Sequence, residues 1–164
     1  MLLYHGSNTR VDAPKLQPSN RGLDFGAGFY LTSSKEQAER FSEIVTRRQG
    51  SGVPTVSVYE LDWAAAERCL SVLRFFAADA DWLDFVAANR LRTYAGPHYD
   101  IVAGAVANDD VMPTIQAFLG GFLTRETALL ALKTKKLTDR YCLKSTDALA
   151  RLAFVQAYAP DGRL

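Results

Sequence analysis

The segment RGLDFGAGFYLT (residues 21–32) is the most informative stretch of this 164-residue chain. Its glycines at positions 22, 26 and 28 stand among aromatic side chains, so the backbone there either turns tightly or lies close to a flat group. Residues 29–32 are predicted to form a strand that is entered through Gly26 and Gly28. Because the spacing differs from GxGxxG and no βαβ unit surrounds it, the common dinucleotide-binding fold is excluded.

The flanking sequence predicts a helix after this strand and another strand before it. The helix is expected to begin at Ser33, with Glu36 completing a capping box. Ala38, Phe41 and Val45 then share one helix face, which is the expected core stripe. At the N-terminus, residues 2–5 are predicted to form a short buried strand that ends at LYHGS (residues 3–7).

The remainder of the chain mixes strands and helices without regular alternation, which favours an α+β fold. No repeat or linker divides the sequence, so we expect a single domain over residues 1–164. Further strands are predicted at residues 54–61, 99–106, 140–144 and 153–157. Further helices are predicted at residues 81–91, from Pro113 to a break at Gly120-Gly121, at 128–133 and at 146–151.

Composition excludes several classes of protein. The net charge is +1 with 48% apolar residues, which is typical of a globular enzyme without a global field toward nucleic acid or membrane. Lys133, Lys135, Lys136 and Arg140 do crowd one segment, either as a solvated helix end or as a local binding strip. The N-terminus predicts no signal peptide and no apolar run predicts a membrane span, so we expect a cytoplasmic protein.

The cysteines and histidines do not predict a metal site. Cys69 and Cys142 are the two cysteines, and they stand in unrelated contexts without a CxxC pair. Cys142 lies in an apolar, strand-like run, which favours a small core residue. His98 follows Pro97 in a turn-like stretch and is expected at the surface. His5 ends the first predicted strand. Its side chain there is expected to make either a structural hydrogen bond or a contact with a ligand.

The pairing of LYHGS (residues 3–7) with RGLDFGAGFYLT (residues 21–32) resembles the ADP-ribosyltransferase superfamily in its His-Tyr-Glu branch. Within that branch the chain looks like a bacterial family of domains of unknown function. The resemblance runs nearly end to end and is supported by QAERF (37–41), WLDFV (82–86), NR (89–90), YDIV (99–102), VANDD (106–110) and a terminal strand–helix–strand. It implies a split mixed and antiparallel β-sheet core with flanking helices, and NAD as co-substrate.

The resemblance also implies roles for residues of the two motifs. His5 would bind the adenosine-side ribose, and the backbone of Gly6 would hold the nicotinamide carboxamide, with Ser7 and Gly28 beside them. Tyr30 would stack on the nicotinamide ring and Phe41 would close its other face, although Phe41 also fits the core stripe. Arg21 would bind the pyrophosphate or else pair with Asp24, the remaining residue assigned to the cofactor site.

The catalytic position departs from the family pattern. The superfamily places Glu, Gln or Asp at the start of the penultimate strand, where this chain has Arg140. A guanidinium opposes the positive charge that develops as the nicotinamide–ribose bond breaks. Three explanations stay open: Asp139 or the cluster Asn108-Asp109-Asp110 supplies the polar group, the acceptor is activated differently, or catalysis is impaired. Asp109 and Asp110 could equally cap the helix that Pro113 opens.

The resemblance therefore predicts transfer of ADP-ribose from NAD to a macromolecule with release of nicotinamide, and it implies no metal. Tyr30, Asp109, Asp110 and Arg140 are the catalytic candidates. The alternatives are a binding module for NAD or ADP-ribose that has lost turnover, and an NAD glycohydrolase. The acceptor is protein or nucleic acid, with protein mildly favoured by the near-zero charge. A bacterial toxin or anti-phage role would add an antitoxin protein as partner.

Overall fold

The computed structural model describes residues 1–16, 21–105, 111–134, 137–160 and 162. Helices and strands alternate irregularly along these residues. In chain order the elements are β1 (Leu2–Ser7), β2 (Phe29–Leu31), α1 (Lys35–Gln49), β3 (Thr55–Leu61), α2 (Trp63–Cys69), β4 (Val72–Arg74), α3 (Ala80–Arg90), β5 (Ile101–Ala105), α4 (Met112–Leu119), α5 (Arg125–Leu132), β6 (Asp139–Leu143), α6 (Thr146–Leu149) and β7 (Leu152–Tyr158).

The strands form two sheets, and the expected α+β fold is confirmed. One sheet has the order β1-β3-β7 and is antiparallel throughout. The other has the order β2-β6-β5-β4, in which β4 and β5 are parallel and the remaining pairs antiparallel. An isolated bridge between Tyr4 and Thr32 links the two. The predicted central strand is confirmed, because β5 lies between β6 and β4.

Apolar side chains hold these layers together in three clusters. Leu3 and Tyr59 of the first sheet share one cluster with Ile101 and Leu143 of the second. On the far side of the second sheet, Val102 and Cys142 pack with α3, α4 and α5 through side chains such as Trp82, Ile115 and Leu132. Ala38 of α1 packs against Val56 and Val58 on the outer side of the first sheet. Burial removes this apolar surface from water, which is the main force stabilising the fold.

The start of α1 corrects the sequence analysis by one residue. Ser34, not Ser33, is the N-cap, and its side chain accepts a hydrogen bond from the backbone N–H of Gln37. Both serines suit a cap, but the hydroxyl of Ser33 donates instead to Asp139 of β6. The helix is therefore positioned by a contact with a strand that lies far along the chain, which local sequence does not reveal.

Two short elements were not predicted. Helix α2 begins after Asp62, whose side chain accepts a hydrogen bond from the backbone N–H of Ala65. The helix has seven residues, which is fewer than two turns. Strand β4 has three residues and pairs with β5 only. Elements of this length carry too few positions for a hydrophobic period to be recognised. Within the described residues, no helix combines the length and apolar character that crossing a membrane requires.

Candidate functional site

A cavity of about 530 Å³ lies where α1 approaches β1 and β2, and we call it the first cavity. Its volume falls in the range of small-molecule sites, roughly 300–1,000 Å³. Most of the residues singled out from the two motifs meet there although they are far apart in sequence. The lining includes His5 and Gly6 of β1, Gly28 and Tyr30 at β2, Phe41 of α1, and Arg140 of β6.

His5 is held in one tautomer. Its Nδ1 lies 2.8 Å from the carbonyl oxygen of Tyr30, and because a carbonyl only accepts, Nδ1 carries the proton. The ring stacks on Phe29 at 4.4 Å between centroids. Burial lowers the pKa of His5, so the imidazole is neutral near pH 7. The one hydrogen bond of His5 within the described residues is made through Nδ1, so Nε2 is a lone-pair acceptor suited to a hydroxyl group.

Gly6 is required by packing. A Cβ at this position would lie 2.1 Å from the carbonyl oxygen of Ala38 and 2.9 Å from the nitrogen of Ser42. Both atoms belong to the backbone of α1, so they cannot move aside as a side chain tip would. The glycine therefore lets α1 lie directly on β1, and this close approach forms one wall of the first cavity.

Glycine is likewise required at positions 26 and 28 by the backbone conformation and by packing within the protein. Gly26 has φ of 77°, which is the left-handed region that glycine tolerates best. A Cβ at Gly28 would lie 2.5 Å from the sulfur of Cys142 and 2.7 Å from the carbonyl oxygen of Leu143. The turn interpretation of this segment therefore applies at Gly26, and close approach to β6 applies at Gly28.

Tyr30 is fixed at both its hydroxyl and its ring. The hydroxyl donates to the carbonyl oxygen of Gly26 and accepts from the N–H of Phe25 at 3.3 Å. Burial raises the pKa of Tyr30, so the phenol stays protonated. The guanidinium carbon of Arg140 lies 5.3 Å from the ring centroid, within cation–π distance. One face of the ring is therefore already in contact with a cation.

Asp24 is completely buried and holds that cation in place. Its Oδ2 lies 3.3 Å from Nη1 of Arg140, and its Oδ1 lies 2.7 Å from Nε of Arg90. Two guanidinium groups of the described residues thus share one carboxylate. Asp24 was predicted to lie in the cofactor site itself, and it pairs with Arg140, which lines the first cavity. Arg90, which completes the group, lies in the NR run quoted above but was given no role.

Phe41 lies in the first cavity and not in the core. Its side chain is 42% exposed, whereas Ala38 and Ser42 form the buried face of α1. The core-stripe interpretation of Phe41 is therefore wrong. Successive helix positions differ by about 100° in direction, so the helix face that meets Gly6 leaves Phe41 to one side. There it presents an aromatic ring to the cavity.

The remaining predicted residues lie elsewhere. Arg21 lines a different cavity, and the hydroxyl of Ser7 is 3.5 Å from Oδ1 of its neighbour Asn8, away from the first cavity. Oδ1 of Asp139 accepts from the hydroxyl of Thr32 at 3.0 Å and the N–H of Ser33 at 2.9 Å, so it secures the turn before α1. Asp109 and Asp110 lie outside the described residues.

The described lining of the first cavity contains cations and no carboxylate. Lys15 and Arg140 supply the charge, and Gln37 and Thr32 add neutral polar groups. Lys15 was missed because it lies in a loop without any motif, while Gln37 lies in the QAERF run. Aromatic faces, two cations and a histidine acceptor together suit a planar ligand that carries hydroxyl and anionic groups. Within the described residues, no group of three His, Cys, Asp or Glu side chains is placed to hold a metal ion.

Comparison with known proteins places the chain in a family. No match was found among curated proteins, and none among solved structures. A family model described as "Protein of unknown function (DUF3990)" matches residues 1–154, which is nearly the whole chain. The chain therefore belongs to the DUF3990 family.

Proposed function

We propose that this protein binds NAD in the first cavity and transfers its ADP-ribose to a macromolecular acceptor, releasing nicotinamide. The observation that carries the proposal is the meeting of His5, Tyr30 and Phe41 in one cavity from three separate elements. The resemblance to ADP-ribosyltransferases assigned these residues to NAD from two short motifs and a helix position. Packing by itself does not require a half-exposed phenylalanine beside a neutral histidine and a fixed tyrosine.

Three parts of NAD have matching groups in the first cavity, namely a ribose, the nicotinamide ring and the pyrophosphate. The neutral His5 offers Nε2 as an acceptor for a ribose hydroxyl, since Nδ1 is used by the Tyr30 carbonyl. Tyr30 and Phe41 offer aromatic surface for the nicotinamide ring. Lys15 and Arg140 offer positive charge for the pyrophosphate. Arg21, which lies outside this cavity, is not needed for that contact.

The chemistry requires the bond between nicotinamide and ribose to break. Its electron pair leaves with the nicotinamide nitrogen, the ribose carbon becomes oxocarbenium-like, and the acceptor nucleophile bonds to that carbon and loses a proton. A carboxylate normally stabilises such a centre. Because the described lining supplies none, the proposal assigns this role to Asp109 or Asp110, and it assigns Arg140 to the pyrophosphate or the acceptor.

A second function is favoured by the same electrostatics. Two cations and no carboxylate in the described lining are better suited to binding an anionic nucleotide than to stabilising a cationic transition state. The alternative is therefore a module that binds NAD or ADP-ribose without turnover. Hydrolysis of NAD, with water as acceptor, differs from the main proposal only in its nucleophile.

Nicotinamide release distinguishes these functions. The purified protein is incubated with NAD labelled in its adenosine part, with and without a bacterial cell extract, and both free nicotinamide and label on macromolecules are followed over time. Release with labelled protein or nucleic acid supports transfer, and release without such label indicates a glycohydrolase. Calorimetric binding of NAD without release supports the module. Absence of both binding and release would remove NAD from consideration.

The substitutions Asp109→Asn and Asp110→Asn test whether one of these two carboxylates stabilises the oxocarbenium-like centre. A positioned carboxylate contributes roughly a hundredfold in rate, so one of these changes should lower nicotinamide release by about that factor while NAD affinity holds. Asp12→Asn is the matched control, because Asp12 is exposed and pairs with Arg10 on the surface. Unchanged release in both variants would show that the acid is not in this cluster.

A further inference from the structure

The segment from Arg21 to Gly28 has a second cavity on its other side. This second cavity has a volume of about 250 Å³ and is bounded by α3, the loop after it, and the end of β6. Three positively charged side chains line it, and the described lining contains no Asp or Glu. The lining residues with charged or aromatic side chains are Arg21, Arg92, Lys144, His98, Phe85, Tyr94 and Tyr99.

Lys144 is fixed at the base of this cavity without a carboxylate partner in the described residues. Its Nζ donates to the carbonyl oxygen of Phe25 and, at 3.1 Å, to that of Ala27. Carbonyl dipoles orient the ammonium group but do not cancel its charge. An anion entering the cavity would therefore meet an oriented positive charge at its inner wall.

Arg92 adds charge from a backbone position that does not favour arginine. Its φ is 60°, and it is the single non-glycine residue with positive φ in the described part of the chain. It follows the end of α3, where glycine or asparagine usually takes this conformation. No ion pair to Arg92 is formed within the described residues. Backbone strain of this kind is retained most often at ligand sites.

Aromatic surface lies beside these charges. The hydroxyl of Tyr94 donates to the carbonyl oxygen of Pro97 at 2.8 Å, and its ring packs edge-on to Phe85 at 4.8 Å between centroids. Tyr94 is thus held in one orientation along the wall of the second cavity. A small anionic group joined to a flat ring would find both of its parts complemented here.

We propose that the second cavity binds a phosphate monoester, with Arg92 and Lys144 as the main contacts of its phosphate group. The doubly charged terminal phosphate gains most from several converging cations, and the volume suits a phosphate with an attached ring rather than a whole dinucleotide. This site is separate from the first cavity and does not depend on the proposed use of NAD.

The test is isothermal titration of the full chain at low ionic strength with inorganic phosphate and with phenyl phosphate, which lacks any adenosine group. Both should bind saturably, and salt should weaken the binding. Arg92→Gly should lower affinity by about tenfold through loss of a charge-assisted contact, and Lys144→Gln should do the same. Because glycine suits φ of 60°, Arg92→Gly should keep or raise the melting temperature, so lost binding would not reflect unfolding.

Two matched controls remove a positive charge from other places. Arg68→Gln changes an exposed arginine at the end of α2, and Lys15→Gln changes a cation of the first cavity. Both should leave phosphate affinity within about twofold. The proposal is overturned by absence of binding, by unchanged affinity in Arg92→Gly, or by a loss in Lys15→Gln equal to that in Arg92→Gly. Equal affinity for a short oligonucleotide without terminal phosphate would also overturn it, because that ligand carries phosphodiesters only.

Discussion

The two cavities share the segment from Arg21 to Gly28 as a common wall, yet they handle positive charge differently. In the first cavity Arg140 is tied to the buried carboxylate of Asp24, which Arg90 also contacts. In the second, Lys144 is oriented by the backbone carbonyls of Phe25 and Ala27 and pairs with no carboxylate of the described residues. A cation that is paired with a carboxylate is held in a fixed position but attracts an anionic ligand less strongly. A cation that is held by carbonyl dipoles alone attracts such a ligand with most of its charge.

The difference suggests two kinds of ligand. The first cavity is larger and mainly aromatic and aliphatic, with its charge partly neutralised, so it suits a large ligand with a planar ring. The second is smaller, and neither Arg92 nor Lys144 forms an ion pair with a described carboxylate, so it suits a compact anion. Disturbing the charges on the shared wall should therefore affect the cavities unequally.

The largest effect is expected from Asp24→Asn. The carboxylate is fully buried between two arginine side chains that are 21% and 23% exposed, so its removal leaves two half-buried charges without their partner. Because the arginines retain some contact with water, we expect the free energy of unfolding to fall by about 3 kcal/mol, the lower end for a broken buried pair. Chemical denaturation at pH 7 measures this change.

Asp84→Asn is the matched control for that variant. Asp84 also pairs with an arginine, Arg125, but the two side chains are 52% and 44% exposed. An exposed pair of this kind contributes less than about 1 kcal/mol. If both variants lose the same stability, Asp24 does not have the special role that its burial implies. If Asp24→Asn folds, its phosphate affinity should hold while its NAD affinity falls.

Tyr30→Ala should have the next largest effect. It removes the aromatic wall of the first cavity, and we expect NAD affinity to fall by about 1–3 kcal/mol. Tyr30→Phe keeps the ring and loses only the hydroxyl that donates to Gly26, so it should bind NAD nearly as the original chain does. Calorimetry with a thermal melt of each variant decides between lost contact and lost fold. Equal affinity in the two variants would contradict stacking on Tyr30.

Phe41→Leu is expected to have a smaller effect on the same ligand. Leucine keeps apolar volume but not the flat ring, so NAD affinity should fall by about 1 kcal/mol while the free energy of unfolding changes by less than that. Phe122→Leu is the control, because Phe122 is 85% exposed and lines neither cavity. A loss of stability without a loss of affinity would restore the core interpretation, against the 42% exposure of Phe41.

Phe41 also illustrates which features the sequence could predict. The α+β class, the main strands and the helix at residues 81–91 followed from patterns within single segments. The buried face of α1 did not, because it is set by contact with β1, where Ala38 and Ser42 lie against Gly6. Phe41 and Ser42 differ by about 100° in direction around the helix, so the face that meets Gly6 leaves Phe41 outside the core.

The glycines and the arginines show the same limit. Close approach was one prediction for Gly28, but the approaching group is β6, which lies far along the chain, and α1 approaches Gly6 in the same way. The structure adds Arg90 and Arg140 as partners of Asp24, and both lie far along the chain from it. A motif indicates that a residue is constrained, but the constraint itself arises from contacts between distant segments.

The smallest expected effect is the change of stability with pH that arises from the neutral side chain of His5. Burial lowers its pKa below the ordinary value of 6.5, which the unfolded chain retains. Below pH 6.5 the unfolded state therefore binds a proton that the folded state does not, so stability is fully present above that value and is lost as the pH falls toward the lowered pKa. Protonation would also turn Nε2 from acceptor into donor, so affinity for a ribose hydroxyl should weaken over the same range.

His5→Gln is the variant that isolates this contribution. Glutamine keeps a polar side chain without a titrating group, so the difference in unfolding free energy between pH 7.5 and pH 5.5 should be smaller in the variant than in the original chain. His98→Gln is the matched control, since His98 is the other histidine of the chain and lies exposed beside the second cavity. If His98→Gln reduced the pH dependence and His5→Gln did not, the titrating group would belong to the second cavity, and the neutral acceptor assigned to the first would lose its support.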